Sequence, residues 1–246
     1  MKQKKNIRAL ERRKPPPVVS CGERRKLTLL RETLLEWYTT NGATFPWRRP
    51  EVSDYERICV EVLLQRTRRE TVSAIYDKFF NRLPSWESIA SCPEGDLGQL
   101  LKPLGLWRRR AVSLKALASY AAERNGCFPA TAEDLKKVPA VGQYVGNAIL
   151  LFQHGQARPL VDVNMARVIE RVLRPRKLAD IRHDPWLQSA AHWLVKDHPA
   201  ETNWAILDFA STVCRSNKPK CSDCILFRRC AFAKQGRSGV FARDSS

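Results

Sequence analysis

Residues 136–150 read KKVPAVGQYVGNAIL. Two lysines lead into a turn that holds Pro139, Gly142 and Gly146 bracket Gln143, Tyr144 and Val145, and an apolar run follows. A turn of this composition feeding straight into a helix leaves backbone N–H groups unpaired at the helix start, where they attract anions. The stretch therefore predicts a helix from about residue 143 with an anion site at its N-terminus. It also sets a tyrosine, Tyr144, two residues past the first glycine of that site.

The rest of the chain suits an anionic partner. Its 246 residues carry 43 Lys+Arg against 25 Asp+Glu, a formal net charge of +18. Ten of the cations and only two glutamates fall in the first 26 residues, so the body is basic even without its N-terminal arm. Nucleic acid is the leading candidate, ahead of acidic lipid, because no long basic amphipathic helix with aromatic anchors stands out. The alternative is a merely soluble basic surface. No apolar run approaches the ~18 residues that span a bilayer, and the first twenty residues lack the apolar core of a signal peptide. A cytoplasmic, nucleoid-associated monomer with no membrane partner is expected.

Residues 1 to 24 are charged, contain Pro15, Pro16 and Pro17 in a row, and read as a disordered basic arm. From Leu27 onward apolar residues recur with helical period, first to Trp37, then over Tyr55 to Arg66 and Val72 to Phe80. Further helices are expected near 86–92, 95–102, 107–124, 131–136, 143–155, 162–173, 184–197 and 201–214, with short Pro, Gly, Asn and Asp links between them. Alternating strand-like runs are scarce. The fold class is all-α.

Of eight cysteines, Cys21, Cys59, Cys92 and Cys127 are scattered, whereas Cys214, Cys221, Cys224 and Cys230 are bunched in CRSNKPKCSDCILFRRC. Four thiolates at C-x6-C-x2-C-x5-C spacing can wrap one soft-metal centre, either a [4Fe–4S] cluster or a zinc ion. Spacing alone slightly favours zinc. Arg215, Lys218, Lys220, Arg228 and Arg229 lie within the same loop. They would make it a cationic edge for phosphates, or simply a solvated surface.

Two acids complete the set. Glu61 sits inside the apolar stretch Ile58 to Leu64, where an ionised carboxylate must be paired or open on a cleft. It is either functional or partly exposed beside apolar neighbours. Asp162 stands where an extended apolar stretch meets the next helix, and taken alone it reads as an N-cap.

Together these pieces resemble the helix-hairpin-helix DNA glycosylases of the endonuclease III and MutY superfamily over about residues 27 to 232. The matching segments are FPWR at 45–48, EVLLQRT at 61–67, VPAVGQYVGNAIL at 138–150, VDVNMARVIERV at 161–172 and the four-cysteine loop. The resemblance implies two helical lobes, one of residues 46–156 and one of 25–45 plus 157–235, with a tail at 236–246 and double-stranded DNA across the cleft. It also turns the metal expectation from zinc to a [4Fe–4S] cluster on Cys214, Cys221, Cys224 and Cys230. The hairpin amides from about Val141 to Tyr144, with Gly142, Gln143 and Gly146, would hold a DNA phosphate without reading bases. Ala140 departs from the glycine usual in the family hairpin, and a positive φ there costs about 1 kcal/mol or more.

In endonuclease III-like enzymes the position of Tyr144 carries a lysine that attacks the sugar and then cuts the strand. A phenol cannot form a Schiff base, so the resemblance implies a monofunctional glycosylase with water as nucleophile. MutY-type adenine glycosylases have a small hydroxyl residue here and a further domain that recognises 8-oxoguanine, for which the 16 residues after Cys230 are expected to leave no room. With YDKFF at 76–80, Tyr144 looks most like the mismatch-specific thymine glycosylases, which remove T or U opposite G from base-pair mismatches. On this resemblance Asp162 stabilises the cationic sugar, Glu61 contacts the base or water, and Tyr144 lines the pocket. Gln65 and Arg66, following Glu61 in the same helix, fill the gap left in the duplex, and Asn164 belongs to the DNA-contacting set. The rival functions are an adenine glycosylase without the 8-oxoguanine domain and a non-catalytic, cluster-bearing DNA-binding protein.

Overall fold

The computed structural model describes residues 18–237, and among these every regular element is helical. The first helix, α1 (Cys21–Asn41), begins earlier than the charge pattern suggests. Ser20 and Glu23 form a reciprocal capping box: the Ser20 hydroxyl accepts from the Glu23 amide at 3.2 Å, and the Glu23 carboxylate accepts from the Ser20 amide at 2.8 Å. Glu23 also accepts from Arg174 and from the Trp186 indole. Residues 1–17 of the expected arm lie outside the described residues. Residues 18–24 are a correction, since Arg24, half-buried over the Trp193 ring, and the exposed Arg25 and Lys26 belong to the first turns of a docked helix.

Two separate hydrophobic cores organise the chain. The first gathers α2 (Asp54–Leu64), α3 (Arg69–Arg82), α4 (Trp86–Ser91), α5 (Glu94–Leu101), α6 (Trp107–Ala122), α7 (Ala132–Leu135) and α8 (Gln143–Phe152) around Ile58, Phe79, Leu97, Leu114 and Ile149. The second packs α1 with α9 (Val163–Val172), α10 (Pro185–Leu194), α11 (Pro199–Thr212) and α12 (Ala231–Arg237) around Leu30, Ile169, Leu187 and Phe209. The expected starts at Thr131 and Asp184 are both N-caps, with Thr131 Oγ1 accepting from the Asp134 amide and Asp184 Oδ1 from the Leu187 amide. Among the described residues no helix is long and apolar enough to cross a membrane.

One buried carboxylate ties the two cores together. Asp208, on α11, is 1% exposed. It accepts from both terminal nitrogens of Arg48, at 2.7 and 3.0 Å, from the guanidinium of Arg69 at the start of α3, and from the Ala43 amide at 2.8 Å. Arg48 sits in a 3₁₀ turn, Pro46–Arg48, that leads the chain from α1 into the first core. A charge this deep in the protein needs such pairing, because an unpaired one costs several kcal/mol.

Candidate functional site

The site forms where α2, α8 and α9 meet beside the Asp208 junction. Helix α2 starts on a second capping box, Ser53 with Glu56, and its buried face carries Ile58, Cys59, Val60, Leu63 and Glu61. Glu61 is 3% exposed. Eighty-three positions along the chain, at the start of α8, the Tyr144 hydroxyl donates to Glu61 Oε2 at 2.7 Å. Asp162 is indeed the N-cap of α9: Oδ1 accepts from the Asn164 and Met165 amides at 2.9 and 2.8 Å, and Oδ2 accepts from the Asn164 side chain at 2.6 Å. It also lines a cavity of about 570 Å³ shared with Glu61, Tyr144, Asn164, Trp47 and Trp204.

Burial dominates the electrostatics of this cavity. It pushes Glu61 from its usual value near 4.5 up to about 7, against the hydrogen bond from Tyr144 and the charge of Arg48, with Asp162 adding to the rise. Asp162 is likewise raised by burial, opposed by the hydrogen bonds from Met165 and Asn164. The Tyr144 phenol is driven far above its ordinary range by burial and by Glu61, so it stays a protonated donor. The cavity thus holds two carboxyl groups of different setting, one fixed by backbone amides and one poised to titrate near neutrality.

The hairpin lies between α7 and α8. Ala140 has φ +61°, the left-handed conformation that an alanine adopts only at a cost. Gly142 caps α8 in extended backbone, and a Cβ there would meet nothing within 4 Å, so the protein's own packing does not require glycine. Val141, Gly142 and Gln143 border a groove of about 540 Å³ that also takes in Lys136, Arg158 and Arg182. Gln143 is tied to Gln188 of α10 at 3.0 Å, linking the hairpin to the second core. Gly146 is buried, and Val141 Cγ1 lies 3.5 Å from where its Cβ would stand. It supports the turn from beneath.

Gln65 and Arg66 require a correction. They do not continue α2, which ends at Leu64, but form an exposed turn in which Arg66 has φ +58°. Propensity did not foretell this stop, since neither residue is a helix breaker. The turn still borders the site, because Gln65 and Arg66 share a groove with Tyr144, Asp162 and Asn164.

Cys214, Cys221, Cys224 and Cys230 all border one small pocket with Arg171 and Phe227. Arg171 reaches Cys214 Sγ at 3.5 Å and binds the carbonyls of Arg215 and Ser216. Burial raises the thiols of Cys221 and Cys230, and pushes Cys224 up to about 11. Among the described residues no group of three or more His, Cys, Asp or Glu is arranged to hold a metal ion. The donor chemistry nonetheless fits a soft metal, as four thiols facing one pocket exchange their protons for a cation. The cations Arg215, Lys218, Lys220, Arg228 and Arg229 are all exposed around it.

Several residues of the site carry little sequence signal. Arg167 donates to Asn164 Oδ1 at 3.0 Å and to the Cys214 carbonyl at 2.9 Å, joining the Asp162 cap to the cysteine loop. Its one clue is its place three residues past Asn164 on the same helix. Asp208 and Arg69 are identifiable only from the folded chain.

A carboxyl whose pKa is raised by folding stabilises the protein less as pH rises from its unfolded value to its folded one. For Glu61 that window runs from about 4.5 to about 7, and the full cost is on the order of 3 kcal/mol. Glu61→Gln removes the titration and keeps an acceptor for Tyr144. In thermal melts the variant should match wild type near pH 4.5 and exceed it at pH 8; parallel curves at all pH values contradict the burial argument.

The comparisons with known proteins identify the family. A model of the HhH-GPD superfamily base excision DNA repair proteins matches residues 59–182. The thymine-DNA glycosylase of Aeropyrum pernix is 34% identical over 84% of this chain and 95% of its own length. The thymine/uracil-DNA glycosylase of Pyrobaculum aerophilum is 34% identical over 87% and 95%. A solved thermostable thymine-DNA glycosylase superimposes with a TM-score of 0.75 at 28% identity, covering 86% of this chain and 98% of that one. By the family model over residues 59–182 and the 34% identity to these glycosylases, this chain is a member of the HhH-GPD superfamily of base excision DNA repair proteins.

Proposed function

We propose that the protein is a monofunctional DNA glycosylase that excises T or U opposite G, using water as the nucleophile. The observation that carries this reading is the Tyr144–Glu61 hydrogen bond at 2.7 Å beside the Asp162 cap in one cavity. A phenol held protonated by burial offers no amine for a Schiff base, so strand cutting by that route is absent. The named relatives act on thymine and uracil, which supports these targets over adenine.

The target base leaves the stack and enters the cavity; a mismatched base costs less to extrude, which contributes to selectivity. Asp162, oriented by the Asn164 and Met165 amides, stabilises positive charge on the sugar as the glycosidic bond lengthens and orients the water. Tyr144 holds Glu61 Oε2, which leaves the other oxygen for the base or the water. With a pKa of about 7, Glu61 is available in its neutral form to donate to a pyrimidine carbonyl as the base departs with negative charge. Gln65 and Arg66 fill the vacated position and contact the widowed guanine, while the amides of Gly142 and Gln143 hold a phosphate, that of Val141 closing the turn onto the Val138 carbonyl.

Two lobes built on the two cores, residues 46–156 and residues 25–45 plus 157–235, would grip the duplex between them, and the protein works as a cytoplasmic monomer. A [4Fe–4S] cluster on Cys214, Cys221, Cys224 and Cys230 would pin the loop and present its exposed cations rigidly to phosphates.

Asp162→Asn should lower single-turnover excision from a T·G duplex by roughly 10²–10³-fold with duplex affinity retained; turnover near wild type removes Asp162 from the mechanism. For the cluster, the purified protein should contain iron and absorb in the visible, and Cys221→Ser should lose both. Iron-free protein carrying stoichiometric zinc rejects the cluster and restores the zinc alternative.

A further inference from the structure

Arg110, on α6, is partly buried and has no part in the chemistry above. Its guanidinium donates from Nε to the Gly105 carbonyl at 2.9 Å, from one terminal nitrogen to the Leu63 carbonyl at 3.2 Å, and from the other to the Gln65 carbonyl and Thr67 Oγ1 at 2.5 and 2.6 Å. The carbonyls at the end of α2 lack partners within the helix, and a cation there is favoured by the helix dipole. Arg is suited to this place because its donors form a rigid planar fork, which a lysine cannot reproduce.

The fork holds two turns at once, and each contains a non-glycine residue in the left-handed region: Arg66 at φ +58° and Leu106 at φ +50°. Such a residue costs roughly 1–2 kcal/mol and persists only where its surroundings over-determine it. Both side chains face solvent, and Leu106 is 62% exposed. Neither side chain packs into the core. The first turn borders the groove of Tyr144 and Asp162, where an extruded base must pass.

We infer that Arg110 is a positioning residue for base extrusion. By clamping both turns it keeps Gln65 and Arg66 in the geometry that fills the emptied stack, so their ordering does not draw on the energy of DNA binding. This inference rests on the glycosylase reading. A helix cap with no further role predicts a change in stability alone.

The test uses the full chain and a duplex with 2-aminopurine next to the T of a T·G pair, whose fluorescence rises when the T leaves the stack. Arg110→Lys keeps the charge and most of the stem but not the fork; Arg110→Ala removes both. Arg110→Lys should lose most of the fluorescence rise and roughly tenfold or more in single-turnover excision, with unchanged affinity for matched duplex. Arg110→Ala should lose at least as much. Wild-type fluorescence and excision in Arg110→Lys overturn the inference, as does a loss of matched-duplex affinity as large as the loss of excision. Absence of T·G and U·G excision by the wild-type protein is a separate failure, that of the glycosylase reading.

Discussion

Glu61 is a carboxylate inside an apolar helix, and much of the site follows from how the fold tolerates it. Burial strips away most of its hydration, and the charge is met by the Tyr144 hydroxyl and, at longer range, by Arg48. That requirement sets the start of α8, hence the hairpin before it, against α2. It also leaves the acid titrating near neutrality, which suits a group that shares a proton with a departing base. The instability that burial brings is therefore placed at the wall of the cavity that Glu61 shares with Asp162.

Around this pair the protein concentrates other costs. Asp208 holds two guanidiniums and an amide where the cores meet, and two of the residues involved, Arg48 and Arg69, also line the cavity. Three left-handed non-glycine residues, Arg66, Leu106 and Ala140, stand in the turns that flank the site. Rigid helices carry the carboxylates and the turns face outward. This division suits a protein that must bind a smooth duplex and then act on one base.

The helices are readable because period, caps and links agree: Thr131 and Asp184 both cap the helices that follow them. The hairpin and the acids were legible as a set, since Glu61 is conspicuous among Ile, Cys, Val and Leu. Asp162 alone reads as a cap, and it is one; that it also lines the cavity is visible only in the fold. The start of α1 is masked by the basic run that follows it, although Ser20 and Glu23 form its capping box. The end of α2 is hidden because Gln65 and Arg66 favour helix, and the guanidinium that binds the Gln65 carbonyl there, that of Arg110, lies 45 residues away. Asp208 gives no local signal at all, as its partners lie 139 and more positions distant.

The most direct measurement is single-turnover cleavage of duplexes carrying T·G, U·G, A·G and A·8-oxoguanine, each with and without alkali. Cleavage of T·G or U·G that appears only after alkali is the predicted result, and it identifies base removal without strand cutting at a site that has a tyrosine at position 144. Cleavage confined to the adenine duplexes, or strand cutting without alkali, contradicts the account.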